Sequence, residues 1–228
     1  MSRTVKSADA RQNEILDTAQ TLFYTKGYEN TSVRDIIDDI GIAKGTFYHH
    51  YNSKEELLDA LIIRLLDQSL LILEPIMADE QLTALKKLHK FFDEISNFKI
   101  ENEGFIRSLL PIWYADSNVL LREKMKQFSL DMFGPLYAQI VQQGVEEGAF
   151  SVEYPEVMGT VFFQTMYFMS ETLAKVLINA EAKQKFSWDE VKYKTEAYNS
   201  ALESLLNATP GSIRLYDFEP FKYWFDTA

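Results

Sequence analysis

The side chains best equipped for acid–base or metal chemistry in this sequence are its three histidines, and their spacing argues against both uses. His49 and His50 are adjacent, and neighbours on a helix point about 100° apart, so one ion is hard for both to share. His89 has Asp93 four residues on, a spacing open to a metal or a proton-transfer pair but equally that of a solvated helix face. Cysteine is absent, which removes disulfides, thiol catalysis and thiolate metal sites. No Ser-His-Asp order, glycine-rich phosphate loop or HExxH motif occurs. The chain is therefore read as a non-enzyme that carries neither metal nor cofactor. What stands out instead is a run of cations, hydroxyls and aromatic rings between Thr31 and Leu57, TSVRDIIDDIGIAKGTFYHHYNSKEEL.

The elements that must position this run are short helices. A first helix over about residues 8–26 carries Ile15, Leu16, Ala19, Leu22 and Phe23 on one face, and Gly27 is a natural stop. Ser32 followed by Asp35 has capping spacing for a second helix, whose apolar face is Val33, Ile36, Ile37 and Ile40 and which Gly41 ends. A third runs from about Ala43 to His50. Two short helices across the turn Gly41-Ile42-Ala43, with Ile36, Ile37, Ile40, Ile42 and Phe47 facing Leu22 and Phe23, make a helix-turn-helix, the arrangement that offers its second helix to a DNA major groove. Spacing alone fits an ordinary helical hairpin equally well.

Ser53-Lys-Glu-Glu56 is a capping box opening a long helix to about Glu74, where Pro75 is expected to interrupt it. Further helices are expected near 80–99, 103–114, 117–147 (with a kink at Pro135), 155–180 and 187–207. No alternating pattern long enough for a strand is present, so the fold class is all-α. The tail after Pro210-Gly211 is rich in aromatics and is expected to dock.

Of 228 residues, 23 are Lys or Arg and 34 are Asp or Glu, a net charge of −11, which disfavours indiscriminate coating of nucleic acid or adhesion to an anionic membrane. The acidity is uneven. Residues 1–56 hold seven cations against nine acids, a net of −2, leaving −9 on the remainder. Arg34, Lys44 and Lys54, with an arm of Arg3, Lys6 and Arg11, supply a local positive surface, from which Asp38 and Asp39 are expected to turn away. The longest apolar stretch, LLDALIIRLLDQSLLIL, is broken by Asp59, Arg64 and Asp67, and VFFQTMYFM is too short to span a bilayer. With no apolar core at the N-terminus and no cysteine, the expectation is a soluble cytoplasmic protein without a membrane partner.

Taken in order, the first helix ending F-Y-T-K-G-Y, the start T-S-V-R-D-I, the run G-I-A-K-G-T-F-Y-H-H-Y and then S-K-E-E-L-L resemble the DNA-binding region of the TetR family of transcriptional regulators, over roughly residues 11–62. The stretch AYNSALESLLNATPGS is a weaker echo of the family's last helix. The resemblance implies an N-terminal helix-turn-helix DNA-binding domain over 1–54 and a larger helical ligand-binding and dimerisation domain over 55–228. It implies that Lys44 reaches a phosphate or guanine edge, that Gly45 allows close backbone approach, and that Thr46, Tyr48 and His49 share the exposed side. Lys54 looks like the family's phosphate-contacting lysine, and Thr31, Ser32 and Arg34 are placed to touch the DNA backbone. Phe47 and Tyr51 read as core anchors. Ala43 departs from the family's usual Ser or Thr, removing a helix cap worth about 1 kcal/mol.

The same resemblance pairs the last two helices with their copies in a homodimer, with Val161, Tyr167, Val191, Tyr198, Leu202 and Leu205 as interface residues. A dimer sets two recognition helices on successive major grooves of a near-palindromic operator. In the body, Phe92, Ile95 and Phe98, then Phe105, Leu109, Trp113 and Tyr114, then Met125, Phe128 and Met132, with Phe162, Met166 and Met169, are either plain core or the lining of a cavity for an apolar small-molecule effector. The function implied is a ligand-responsive repressor. An all-α interaction or sensor protein with a purely structural helix-turn-helix is the alternative, and activation is equally open.

Overall fold

The computed structural model describes residues 7–181, 188–215 and 222. Nine α-helices and one 3-10 turn follow one another among the described residues, with no strand there, so the chain is all-α. They are α1 (Ala8–Thr25), α2 (Val33–Ile40), α3 (Lys44–His50), α4 (Lys54–Ala78), α5 (Ala84–Glu101), α6 (Glu103–Trp113), the 3-10 turn Asp116–Asn118, α7 (Val119–Glu146), α8 (Pro155–Glu181) and α9 (Trp188–Leu206). Two compact units form: one from residues up to Asp67 together with Ser108–Phe128, the other from Gln68–Arg107 with Ser129 onward.

Local chemistry accounts for the first three helices. Ser7 accepts from the Ala10 N–H to start α1, whose buried face is the predicted set Ile15, Leu16, Ala19, Leu22 and Phe23. At Gly27 the backbone turns to a φ of +89°, a region that costs a residue with a Cβ about 1–2 kcal/mol. Ser32 and Asp35 form the expected reciprocal capping box on α2, and the Ser32 bonds hold the Asp35 carboxyl below its usual range. Gly41 ends α2 in the left-handed conformation. The box at α4 differs in one partner: Ser53 accepts from the Glu56 N–H as expected, but the Glu56 carboxylate takes the Asn52 N–H.

Both Pro75 and Pro111 lie inside helices, not at their ends: α4 runs on to Ala78 and α6 to Trp113. Proline leaves one carbonyl of the preceding turn without an N–H partner, which is tolerable where that turn meets water. Pro75 and Leu71, four residues before it, are both exposed. α7 passes through Pro135 in the same way.

The larger unit is built on an aromatic core in which Tyr137 meets Phe91, Phe162 and Phe163 and donates its hydroxyl to the Met166 sulfur. α8 crosses α7 so closely at Gly159 that a Cβ there would collide with the Ala138 backbone. α8 packs along α9, with Thr172 and Tyr198 hydroxyls 3.2 Å apart. That packing corrects part of the expected interface: Val191 and Leu202 are fully buried within the single chain, where they serve the chain's own core and have no surface left for a partner. Val161, Tyr167, Tyr198 and Leu205 are half-buried, whereas Val157, Phe168 and Tyr193 stand exposed. Apolar periodicity identifies a stripe but not what covers it.

The residues read as cavity lining fall in both units. Leu109, Trp113, Met125 and Phe128 belong to the first and are half-buried; Phe92, Phe162, Met166 and Met169 are buried in the second, with Met132 half-buried. Phe98 is largely exposed, which removes it from the enclosed set. The Phe105 side chain lies outside the described residues, as do Arg3, Lys6 and most of the C-terminal tail. The described start of that tail does dock: Ile213 and Leu215 are buried, the Ile213 N–H donates to Glu203, and the His89 Nε2 lies 3.0 Å from the Ser212 carbonyl. His89 is thereby engaged with the tail, not with Asp93.

Candidate nucleic-acid interface

Two short helices carry the site, and a small core orients them. Phe47 is completely buried on α3 and meets the rings of Tyr48 and Tyr51; Ile36 of α2 and Phe23 of α1 are equally buried. Burying Phe47, Ile36 and Ile42 inward leaves the other side of α3 for solvent, as the 3.6-residue repeat requires. On that side Lys44, Gly45, Tyr48 and His49 are exposed and Thr46 is half-buried. Lys44 lies over the Tyr48 ring, with Nζ 5.6 Å from the centroid, an i,i+4 pair holding a cation and a phenol together. α3 starts at Ala43 with no side-chain cap, as its residue type dictates, so the capping position supplies no side-chain acceptor to its first N–H groups.

Ser32 and Arg34 at the start of α2 are exposed as well. Arg34, with 88% of its side chain accessible, pairs at 3.4 Å with Asp38 one turn on. Asp38 thus shares the Arg34 face, contrary to the expectation that it turns away; the i,i+4 spacing that puts it there was readable from the residues. Such exposed pairs contribute about 0–1 kcal/mol and yield readily to a stronger partner.

Two residues expected at the surface are turned inward. Thr31 is buried, its hydroxyl donating to the Gly27 carbonyl at 2.9 Å and its N–H to the Tyr28 carbonyl, so it clamps the α1–α2 turn and has no group left for an outside acceptor. Lys54 is half-buried: Nζ donates to the carbonyls of Tyr28 (2.9 Å) and Thr31 (3.0 Å) and sits 4.0 Å from the centre of the Tyr28 ring. Burial lowers its pKa, against a smaller opposing pull from Glu29. One N–H remains for a phosphate, and the ammonium's first task is to hold the turn ahead of α2. The His49 and His50 rings touch edge to face, and no group of three His, Cys, Asp or Glu fit to hold a metal occurs among the described residues. No helix of the described residues is long and apolar enough to cross a membrane.

Ser32 and Arg34 on α2 and Lys44, Gly45, Tyr48 and His49 on α3 are thus exposed cations, hydroxyls and ring edges beside a buried apolar core, groups suited to a polyanion with a groove the width of a helix. Residues 15–61 match the family model described as bacterial regulatory proteins, tetR family. The chain is 31% identical over 147 residues, 62% of its own length and 68% of the relative's, to the transcriptional repressor KstR2 of Mycolicibacterium smegmatis. It is 27% identical to the transcriptional regulator YfiR of Bacillus subtilis, covering 72% of this chain and 79% of that one. A transcriptional regulator of the TetR/AcrR family from Thermobifida fusca shares the fold, with a TM-score of 0.53, 21% identity, and coverage of 90% of this chain and all of that structure.

Proposed function

The chain belongs to the TetR family of bacterial regulatory proteins, and on that premise we propose that it works in the cytoplasm as a homodimeric repressor, binding a near-palindromic operator and leaving it when a small, mainly apolar effector binds the helical body. The family consists of transcriptional regulators, not enzymes. One observation carries the reading: Lys44, Tyr48 and His49 stand together on the outward side of α3, with Arg34 exposed on α2, while Phe47 fixes the helix from below. Residues 1–54 read DNA, and 55–228 supply dimerisation and the effector site. Repression is supported by the similarity to KstR2, a protein described as a transcriptional repressor. Half-buried Trp113, Met125 and Phe128 are side chains able to repack around an apolar guest. An effector releases DNA only if it binds the low-affinity arrangement of the two heads more tightly than the other.

Binding of the purified protein to its own promoter region, against random DNA over a range of salt, tests the reading; equal, salt-insensitive binding to both would defeat it. Lys44→Ala is expected to weaken binding and to flatten the log–log salt slope by about 0.9, the signature of one lost phosphate neutralisation. A slope identical to wild type removes Lys44 from phosphate contact. Asp38→Asn is expected to act in the other direction, because it releases Arg34 and removes a charge that repels phosphate. Affinity for operator and random DNA alike should rise by up to roughly fivefold at low salt, the scale of a surface ion pair. A fall in affinity would show that Asp38 holds Arg34 in its DNA-bound pose.

A further inference from the structure

Asn118 is fully buried in the 3-10 turn between α6 and α7, yet its partners lie far off in the sequence. Its Oδ1 accepts the Tyr28 N–H at 2.7 Å, ninety positions away. Its Nδ2 donates to the Phe23 carbonyl at 3.3 Å and to the Ile112 carbonyl at 2.9 Å. The acceptor and both donors of one amide are thus spent on joining the last turns of α1 and α6. Next to it the Glu29 N–H donates to the Ser117 carbonyl at 2.9 Å, and Gly27 leaves the space that the Ser117 side chain fills; a Cβ on Gly27 would collide with it.

The corner holding Asn118 is itself braced. Arg122 donates to the carbonyls of Trp113 and Ala115 at the end of α6, and the Trp113 ring stands edge-on to Tyr24 of α1. Lys124 bonds Asp59 at 2.7 Å and Glu55 at 3.1 Å on the first turns of α4. Tyr28 is therefore gripped from two sides, its N–H by Asn118 and its carbonyl by Lys54. This is the turn from which α2, and through it α3, departs.

We infer that Asn118 is a positioning residue for DNA reading: it sets the departure of α2 and α3 by locking the Tyr28 turn to the α6–α7 corner, and it makes that corner and the DNA face linked sites. The inference rests on the DNA-binding reading above. A buried amide cannot slide by degrees, since a small shift leaves the Tyr28 N–H and the amide's own oxygen and N–H groups without partners. Turn and corner move as one. Linkage is reciprocal, so whatever displaces the corner changes DNA affinity, and bound DNA must stiffen the corner by the same free energy.

Hydrogen–deuterium exchange of the full-length protein, with and without a DNA fragment selected from a random pool, reads this directly. In the wild type, DNA is expected to slow exchange at Tyr28, Glu29 and residues 115–118 as well as along α2 and α3. In Asn118→Ala, protection at 115–118 on adding DNA should vanish and the dissociation constant should rise about tenfold. Asn118→Asp keeps the acceptor for the Tyr28 N–H but sets a carboxylate against two carbonyls, and should fall between the two. Ile140→Ala, a buried change on α7 away from the corner, should lower the unfolding midpoint while leaving affinity and corner protection unaltered. The inference is overturned if DNA protects only residues 32–54 of the wild type, if Asn118→Ala binds like wild type, or if Ile140→Ala weakens binding as much. Should the wild type select no DNA from the pool, the DNA-binding reading falls and this inference with it.

Discussion

Phe168→Asp should break the proposed homodimer into monomers and lower operator affinity by roughly two to four orders of magnitude, the loss expected when two linked binding heads become independent. Phe168 is 54% exposed on α8, on the side where Val157 is bare and Val161 is half-buried, and Tyr193 is exposed on the neighbouring α9. Large apolar side chains left open on two adjacent helices are an interface signature. A two-fold interface uses every residue twice, so a single substitution removes two Phe side chains, each contributing about 1.5–3 kcal/mol when fully buried. It also asks two carboxylates to lose their water, which is unfavourable without partners. The measurement is solution molar mass by light scattering beside an operator titration, with helical circular dichroism as the check on folding. A Phe168→Asp protein that remains dimeric and binds normally would place the interface elsewhere.

Phe47→Ala is expected to cost about 3–5 kcal/mol, the range for removing a fully buried aromatic. The loss falls on a small core, where Phe47 packs its ring against Tyr48 and Tyr51 and is itself wholly inaccessible. Domains with total stabilities of about 5–15 kcal/mol have little to spare. Operator binding should therefore disappear at temperatures where the helical body still gives a full circular dichroism signal. Tyr48→Ala makes the contrast, because Tyr48 is already 43% exposed: unfolding should move little while DNA affinity falls. If Phe47→Ala melts where the wild type does, the surrounding Ile and Tyr side chains collapse into the gap and the orienting role assigned to Phe47 is wrong.

Comparison of these elements shows what reads directly from sequence. Ser32 with Asp35, Gly27, Gly41 and the stripe Ile15, Leu16, Ala19, Leu22, Phe23 all act over one or two turns, so their residue types carry the geometry with them. The same holds for Lys44 over Tyr48 and for Arg34 with Asp38, both i,i+4 pairs. Pro75 does not end α4, because a proline breaks one hydrogen bond, and whether a helix ends there depends on packing around it.

The sequence by itself therefore determined an all-α chain, the helix-turn-helix with its buried Phe47, and the family to which those motifs belong. Tertiary structure alone decided where the polar groups of that segment point: Thr31 inward onto Gly27, Lys54 onto the Tyr28 and Thr31 carbonyls, and Asn118 across ninety residues to the same turn. It also assigned Val191 and Leu202 to the chain's own interior and left Phe168 and Tyr193 outside. The reason is physical. An apolar stripe or a cap is set by backbone periodicity over a few residues, whereas a threonine, lysine or asparagine takes whichever unsatisfied backbone group the folded chain brings within reach, and that choice exists only once distant segments have met.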